Sequence, residues 1–370
     1  MSILAMARGL ACYLVLAALA VPLAAPALGG ETPSFAYQVG ARLSLEHFDP
    51  ATNGLVARAR VDAAVILTPN FAVISAVRLL PITNTTAPAN GMFAKEGLLA
   101  DEVFAQWRDG GLTVRAGKFS PNFARGWLLA PGYFGDTFAA DAQILEQLGV
   151  EVSYAIPTER WGTQALSIAD TMADRSPLSE TLVTARTKLR LRDGGPSNTA
   201  APRSLTLAYD AAAIPLPAGS LSLHAGVANL ARGQGDDAAE QLAVLAAHGG
   251  FALPGSAGAL RPLAEWVRRW NADGHRGVTD ITTLGLAWEH AEWTPSLAAG
   301  TRDSRLSGQP AAHDRFAQIT VARRLDADWS LAGGYMLERV GGARVHAVGL
   351  ELRRGFGNCG DCRIFSGRYY

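Results

Sequence analysis

From residue 34 to residue 354 the chain keeps returning to one pattern, an apolar side chain at every second position. In SFAYQVGARLSLEHF (34–48), Phe35, Tyr37, Val39, Ala41, Leu43 and Leu45 alternate with Gln38, Gly40, Arg42, Ser44 and Glu46. In LVARARVDAAVILTP (55–69), Leu55, Ala57, Ala59, Val61, Ala63, Val65 and Leu67 are set against Arg58, Arg60 and Asp62. A period of two puts one set on each face of a β-strand, whereas a helix would scatter both sets around its axis. The same alternation runs through GLTVRAGKF (111–119), RSLTLAYDA (203–211), SLSLHAGVA (220–228), TDITTLGLAWEH (279–290), RFAQITVARR (315–324), WSLAGGYMLERV (329–340) and VHAVGLELRR (345–354). Turn signals separate these runs: TPN at 68–70, DGG at 109–111, DGGPSN at 193–198, PLPAG at 215–219 and VGGAR at 340–344. The pattern predicts about sixteen strands, within a range of roughly 14 to 18.

TLVTARTKLRLR (181–192) gives the sharpest alternation of charge. Arg186, Lys188, Arg190 and Arg192 recur at every second position, with Val183, Leu189 and Leu191 between or before them. The spacing predicts a strand carrying a row of cations on one face. Two stretches depart from the pattern. DDAAEQLAVLAAHGGFALPGSAGALRPLAEWVRRWN (236–271) is alanine-rich and has Trp266 and Trp270 one helical turn apart, so helix and strand compete; its neighbours favour two strands. PNFARGWLLAPGYFGDTFAADAQILEQ (121–147) breaks the alternation with Pro121, Gly126, Pro131, Gly132 and Gly135, and mixes aromatic residues with Arg125, Asp136, Asp141 and Glu146. A loop of that length in a strand array is functional or disordered, and its aromatic content argues against disorder.

The first thirty residues follow a different rule. One cation, Arg8, precedes an uncharged apolar stretch from Leu10 to about Val21, and Ala25-Pro26-Ala27 supplies an A-x-A cleavage pattern. Residues 1–27 therefore read as a secretory signal peptide and 28–370 as the exported domain. Cleavage removes only Arg8 from 33 basic and 33 acidic groups, leaving one net negative charge. No positive field is available to hold nucleic acid. Cys359 and Cys362, in NCGDC, would be the only cysteines left; in an oxidising compartment they read as a local disulfide, and without a second ligand pair they make no zinc site. The segment 355–370 that carries them is atypical for the end of a strand array.

Two architectures accept many alternating strands. A soluble sandwich buries its apolar face; a transmembrane barrel turns that face to lipid and the polar face to a lumen. The export signal, runs of ten residues or more, and polar faces rich in Arg and Glu favour an all-β, antiparallel transmembrane barrel. Tyr37, Trp107, Trp127, Trp161, Trp288, Trp293 and Trp329, near the ends of runs, would form interfacial girdles.

LTVRAGKFSPNFARGW followed by YFGDTFAADAQILEQLGVEVSYA resembles the strand, loop and strand passage of Gram-negative outer-membrane porin-like proteins. Two departures stand out: GFGNCGDCRIFSG intervenes between the last clear strand and the aromatic end RYY, and SPNFARGW delays its glycine to Gly126. The resemblance implies a cell outer-membrane porin, a water-filled channel for small hydrophilic solutes and ions, embedded in lipid, commonly as a homotrimer, and narrowed by one long inward-folding loop. It would need no cofactor and no metal and would not be an enzyme. Arg42, Arg58, Arg60, Arg115, Arg186, Lys188, Arg190 and Arg192 would line the lumen. Arg125, Asp136, Asp141 and Glu146 would form the constriction on 121–147. The arginine rows predict a weak preference for anions, opposed by Asp62, Glu102 and Asp210. Two other functions fit the same strands: an occluded barrel with a structural or adhesive role, and a barrel hydrolase using His224, His290 or His346. GFGNCG (355–360) matches a dinucleotide fingerprint in letters only, since the chain stops before the helix such a site requires.

Overall fold

The computed structural model describes residues 33–49, 52–81, 91–92, 96–182 and 186–359. The expected signal peptide, residues 1–27, together with Cys362 and the aromatic end, lies outside the described residues. The strands are β1 (Ser34–Phe48), β2 (Thr52–Thr68), β3 (Phe71–Pro81), β4 (Gly91–Met92), β5 (Glu96–Asp109), β6 (Leu112–Phe119), β7 (Gln147–Thr158), β8 (Gly162–Ala173) and β9 (Ser204–Leu216). They continue as β10 (Gly219–Leu230), β11 (Glu240–Ala252), β12 (Ala259–Trp270), β13 (Gly277–Glu289), β14 (Trp293–Leu306), β15 (Ala312–Arg324), β16 (Trp329–Val340) and β17 (Ala343–Gly357). β4 is a two-residue piece pairing parallel with β2. The other sixteen form a closed antiparallel barrel. β17 closes it against β1, from Gln38 opposite Gly357 to Phe48 opposite Ala347. Gly355–Gly357 thus belongs to the closing strand, which is complete before Cys359. Cys359 is disulfide-bonded.

The barrel is inside out compared with a soluble protein. Its outer face exposes Val150, Val152, Leu166, Ile168, Leu205, Leu207, Leu297, Ile319, Leu337 and Val348, while Thr171, Ser167, Glu151, Asp210 and Thr320 are buried within. Strands of this length cross a hydrocarbon layer when tilted, and ring closure leaves no edge of unpaired backbone in it. At one end the connections are short, such as 69–70, 110–111 and 217–218. Trp107, Trp161, Trp288, Trp293 and Trp329 lie at that end, as a girdle would. Trp127 does not: it sits on the inner loop and packs against an interior cluster.

At the other end two of the described connections are long. Residues 120–146, the inner loop, fold into the barrel; residues 174–182 and 186–203, the described parts of the outer loop, stay at the rim. The inner loop carries the helical turn α1 (Gly126–Leu129). Phe123, Phe134, Phe138 and Ile144 of the loop join Leu242, Val244, Val267, Ile281, Phe316 and Met336 of the wall in one apolar cluster. The core of the molecule is therefore the interface between this loop and the inner wall of β10 to β17. That explains the helix-like composition of 236–271. The segment forms β11 and β12, and it lacks clean alternation because Leu242, Val244 and Val267 point inward against the loop while Leu245 and Trp266 point outward.

The loop fits because the wall is notched. A Cβ at Gly285 would stand 2.3 Å from Pro131 Cδ, and one at Gly349 would stand 2.5 Å from the Tyr133 ring. Hydrogen bonds then set its height: Gln318 Nε2 donates to the Pro131 carbonyl at 2.9 Å, and the Tyr133 amide donates to Thr320 Oγ1 at 2.9 Å. Replacing Gly349 by Val should push Tyr133 off the wall and release hydrogen bonds worth about 1 kcal/mol each. The measurable result is faster amide hydrogen exchange over 121–142 in a barrel that still resists SDS; unchanged exchange there would contradict this packing.

Candidate channel constriction

Strand register assembles the charges facing the inner loop. Arg42 on β1 lies opposite Arg58 on β2 and opposite Arg353 on β17, so three arginines stand side by side in one row across the closing seam. Like charges directly opposite each other destabilise a sheet unless acids intervene. Glu46 accepts from Arg58 at 3.3 Å, and Glu351 is paired with Arg353. The third acid, Asp136, arrives from the inner loop, and it lies in the fields of Arg58, Arg42 and Arg353. Arg42 and Asp136 are both exposed, and neither forms an ion pair with a described residue. Tyr133 holds the loop at this place, its hydroxyl donating to Glu46 Oε1 at 2.6 Å. Enclosure lifts the Asp136 carboxyl above its ordinary range, and the hydrogen bond from its own backbone and the three arginines offset this only in part.

The remaining loop charges are anchors. Arg125 is buried and donates to Asp210 at 2.8 Å, beside His224, whose Nδ1 lies 2.8 Å from the same carboxylate. Glu265 on β12 accepts the backbone N–H groups of Arg125 at 2.5 Å and Gly126 at 2.8 Å, satisfying the start of α1. Asp141 is paired with Arg302 at 2.5 Å. Glu146 is at the rim, where Arg186 donates to both its oxygens at 2.8 and 2.9 Å and Lys118 Nζ lies 3.1 Å away. Lys118 is fully buried beneath the outer loop; Asp174 contacts it at 3.0 Å and the Leu178 carbonyl accepts from it at 2.9 Å. Burial by itself would raise the Glu146 carboxyl, but hydrogen bonds from Arg186 and the charges of Lys118 and Arg186 outweigh it and hold the group below the usual range.

Several sequence expectations are corrected by this geometry. Residues 186–192 form no strand: they run irregularly through the outer loop into a single 3-10 turn, Leu191–Asp193, leaving Lys188, Arg190 and Arg192 exposed at the rim and Arg186 clamped to Glu146. Arg115 does point inward but is sealed, 3% exposed, paired with Glu151 and stacked between Phe104 and Phe119. Arg60 is engaged by Asp62 at 2.7 Å and Asp101 at 2.6 Å. Of the twelve charged residues expected in the lumen, Arg42, Arg58 and Asp136 lie within one another's field at the closing seam. Sequence reasoning missed Arg353, Glu351, Glu46 and Tyr133. Arg353 was visible only as one of two adjacent arginines on a strand, and its role depends on which strand closes the ring. The three histidines do not converge: His224 is inside, His290 stacks on Trp288 at a short turn, and His346 faces outward against Tyr335.

No protein-family model and no curated protein matches the chain. Among solved structures it is similar to OmpT, an outer membrane protein of Vibrio cholerae, at 10% identity and a TM-score of 0.55, covering 90% of this chain and 100% of that one. It is similar to an anion-selective porin from Comamonas acidovorans at 12% identity and a TM-score of 0.54, covering 87% of this chain and 99% of that one. A variant of the Rh. blastica porin aligns at 14% identity and a TM-score of 0.52, over 87% of this chain and 100% of that one. The likeness is one of fold: this chain has the barrel of outer-membrane porins.

The rim clasp makes two predictions. Asp174→Asn with Glu146→Gln leaves the buried Lys118 charge uncompensated and should cost about 3–5 kcal/mol, read as a lower urea midpoint in detergent, with part of the loss recovered by adding Lys118→Met. A negligible shift would contradict the clasp. Because the Glu146 carboxyl is depressed in the folded protein, its stabilisation is present above the unfolded carboxylate range, near about 4.3, and is lost as pH falls through the folded value. Glu146→Gln should remove that component of acid sensitivity; an unchanged acid profile would count against it.

Proposed function

We propose that the protein is a passive outer-membrane diffusion channel whose selectivity is set where Asp136 faces Arg42, Arg58 and Arg353. The observation that carries this reading is the exposure of Arg42 and Asp136, which pair with no described residue and lie in one another's field inside a closed barrel. A filled interior would neutralise such groups by direct contact, as it does at Arg115 and Arg125. Water in the passage keeps both charged, and opposed rows of fixed charge make a transverse field that orders small polar solutes and admits ions of both signs. Export to the outer membrane, a non-enzymatic role and assembly with other copies follow from the same reading, supported by likeness to porins of known fold.

Selectivity is balanced here. Three guanidinium groups face three carboxylates, Glu46, Glu351 and Asp136, so near neutral pH the preference should be weak. The exposed cations at 188–192 lie off this passage.

Single-channel recording in a planar bilayer tests the reading: stable, ohmic, step-like currents are expected, and a folded barrel without them would overturn it. In a salt gradient, Asp136→Asn should move the reversal potential toward anions and Arg42→Gln with Arg353→Gln toward cations, while Gln at 188, 190 and 192 together should leave it nearly unchanged. Acidification should strengthen anion preference beginning above the ordinary aspartate range, because Asp136 is raised and protonates first. That response should vanish in Asp136→Asn; its persistence would assign selectivity elsewhere.

A further inference from the structure

On the outer face, the strands near the seam carry a second row of arginines with a different setting. Arg315 on β15 lies opposite Arg339 on β16, and Arg339 lies opposite Arg344 on β17. All three are exposed on the loop-side half of their strands, and none makes an ion pair or side-chain hydrogen bond with a described residue. The acids of the adjoining row are taken. Asp280 is held by Arg268 at 2.7 Å, and Asp303 lies 2.8 Å from His313 Nδ1. Three neighbouring guanidiniums with no counter-charge paired to them among the described residues repel one another, so the patch has a standing excess of positive potential.

Directly below it, toward the middle of the apolar band, the wall is hollow. Small residues, Ala299, Thr301 and Ala317, lie between Leu284 and Leu337, and together with Arg315 and Arg339 they line a depression of about 360 Å³. Charge and shape thus define an amphiphile: an anionic head on the arginines and a hydrocarbon chain in the hollow. Guanidinium pairs bind phosphate in a two-pronged geometry, and basic clusters at a membrane boundary draw anionic headgroups.

We infer that Arg315, Arg339 and Arg344, with the hollow between Leu284 and Leu337, form a binding site for a phosphorylated lipid of the membrane leaflet on the loop side. The site faces away from the lumen and needs only that the barrel spans a membrane, so it stands or falls independently of conduction.

The test uses the full-length barrel in nanodiscs and native mass spectrometry, with bis-phosphorylated lipid A, its dephosphorylated form and phosphatidylcholine as probes. Saturable retention of bis-phosphorylated lipid A is expected, with at least about a tenfold loss in the triple variant Arg315→Gln, Arg339→Gln, Arg344→Gln. Ala299→Trp with Ala317→Trp, which fills the hollow and leaves the charges, should weaken retention while sparing binding of inorganic phosphate. Resistance of each variant to SDS before heating shows that the barrel is folded. Equal retention by the triple variant, or of the dephosphorylated lipid, would overturn the site. So would a wild-type oligomer that the triple variant dissolves without change in lipid retention, which would make the occupant a second copy of the chain.

Discussion

Ring closure through the antiparallel pairing of β1 with β17 is the constraint on which everything else depends. A chain whose outer face is hydrocarbon cannot leave a strand edge unpaired, because no water is there to satisfy it. The seam therefore has to form along its length, and its register fixes which side chains become neighbours. Arg42 stands between Arg58 and Arg353 because Gln38 meets Gly357 and Phe48 meets Ala347. The arginine row is thus created at the junction of the two ends of the barrel, and no local segment contains it.

The inner loop answers the electrostatic problem that closure creates. A row of three arginines needs acids nearby; two come from the strands and the third, Asp136, is brought by the loop. Its placement rests on ordinary packing: phenylalanines against inward aliphatic residues, glycine notches that admit Pro131 and Tyr133, and Glu265 receiving two backbone amides. The loop's other charges are spent on these anchors. Only where the loop crosses the seam does a carboxylate remain free to face solvent.

The strands were legible because period-two alternation is a direct trace of two different solvents. Where that trace failed, the structure supplies the reason. β11 and β12 looked ambiguous since protein, not water, covers their inner face. TLVTARTKLRLR looked like the clearest strand of all, yet alternation is only a pattern of side chains, and a strand also needs hydrogen-bonding neighbours. Among its described residues this segment makes one bridge, Leu182 to Leu98 of β5, and Arg186 is drawn to Glu146 instead. Likewise, a charge on an inward position can line a passage or be sealed beneath a loop. Arg42 and Arg115 read alike in sequence; what separates them is the three-dimensional surroundings, Glu151, Phe104 and Phe119 closing over Arg115 while Arg42 stays exposed.

The central claim, that solvent runs between Arg42 and Asp136, is tested most directly by charge placement during conduction. With Arg42→Cys in a planar bilayer, a small anionic methanethiosulfonate added to the open channel should react quickly, lower the current and turn the preference toward cations, whereas Arg190→Cys and the unsubstituted barrel should conduct as before. Failure of Arg42→Cys to react, or reaction without any change in current, would place the permeation path somewhere other than this row.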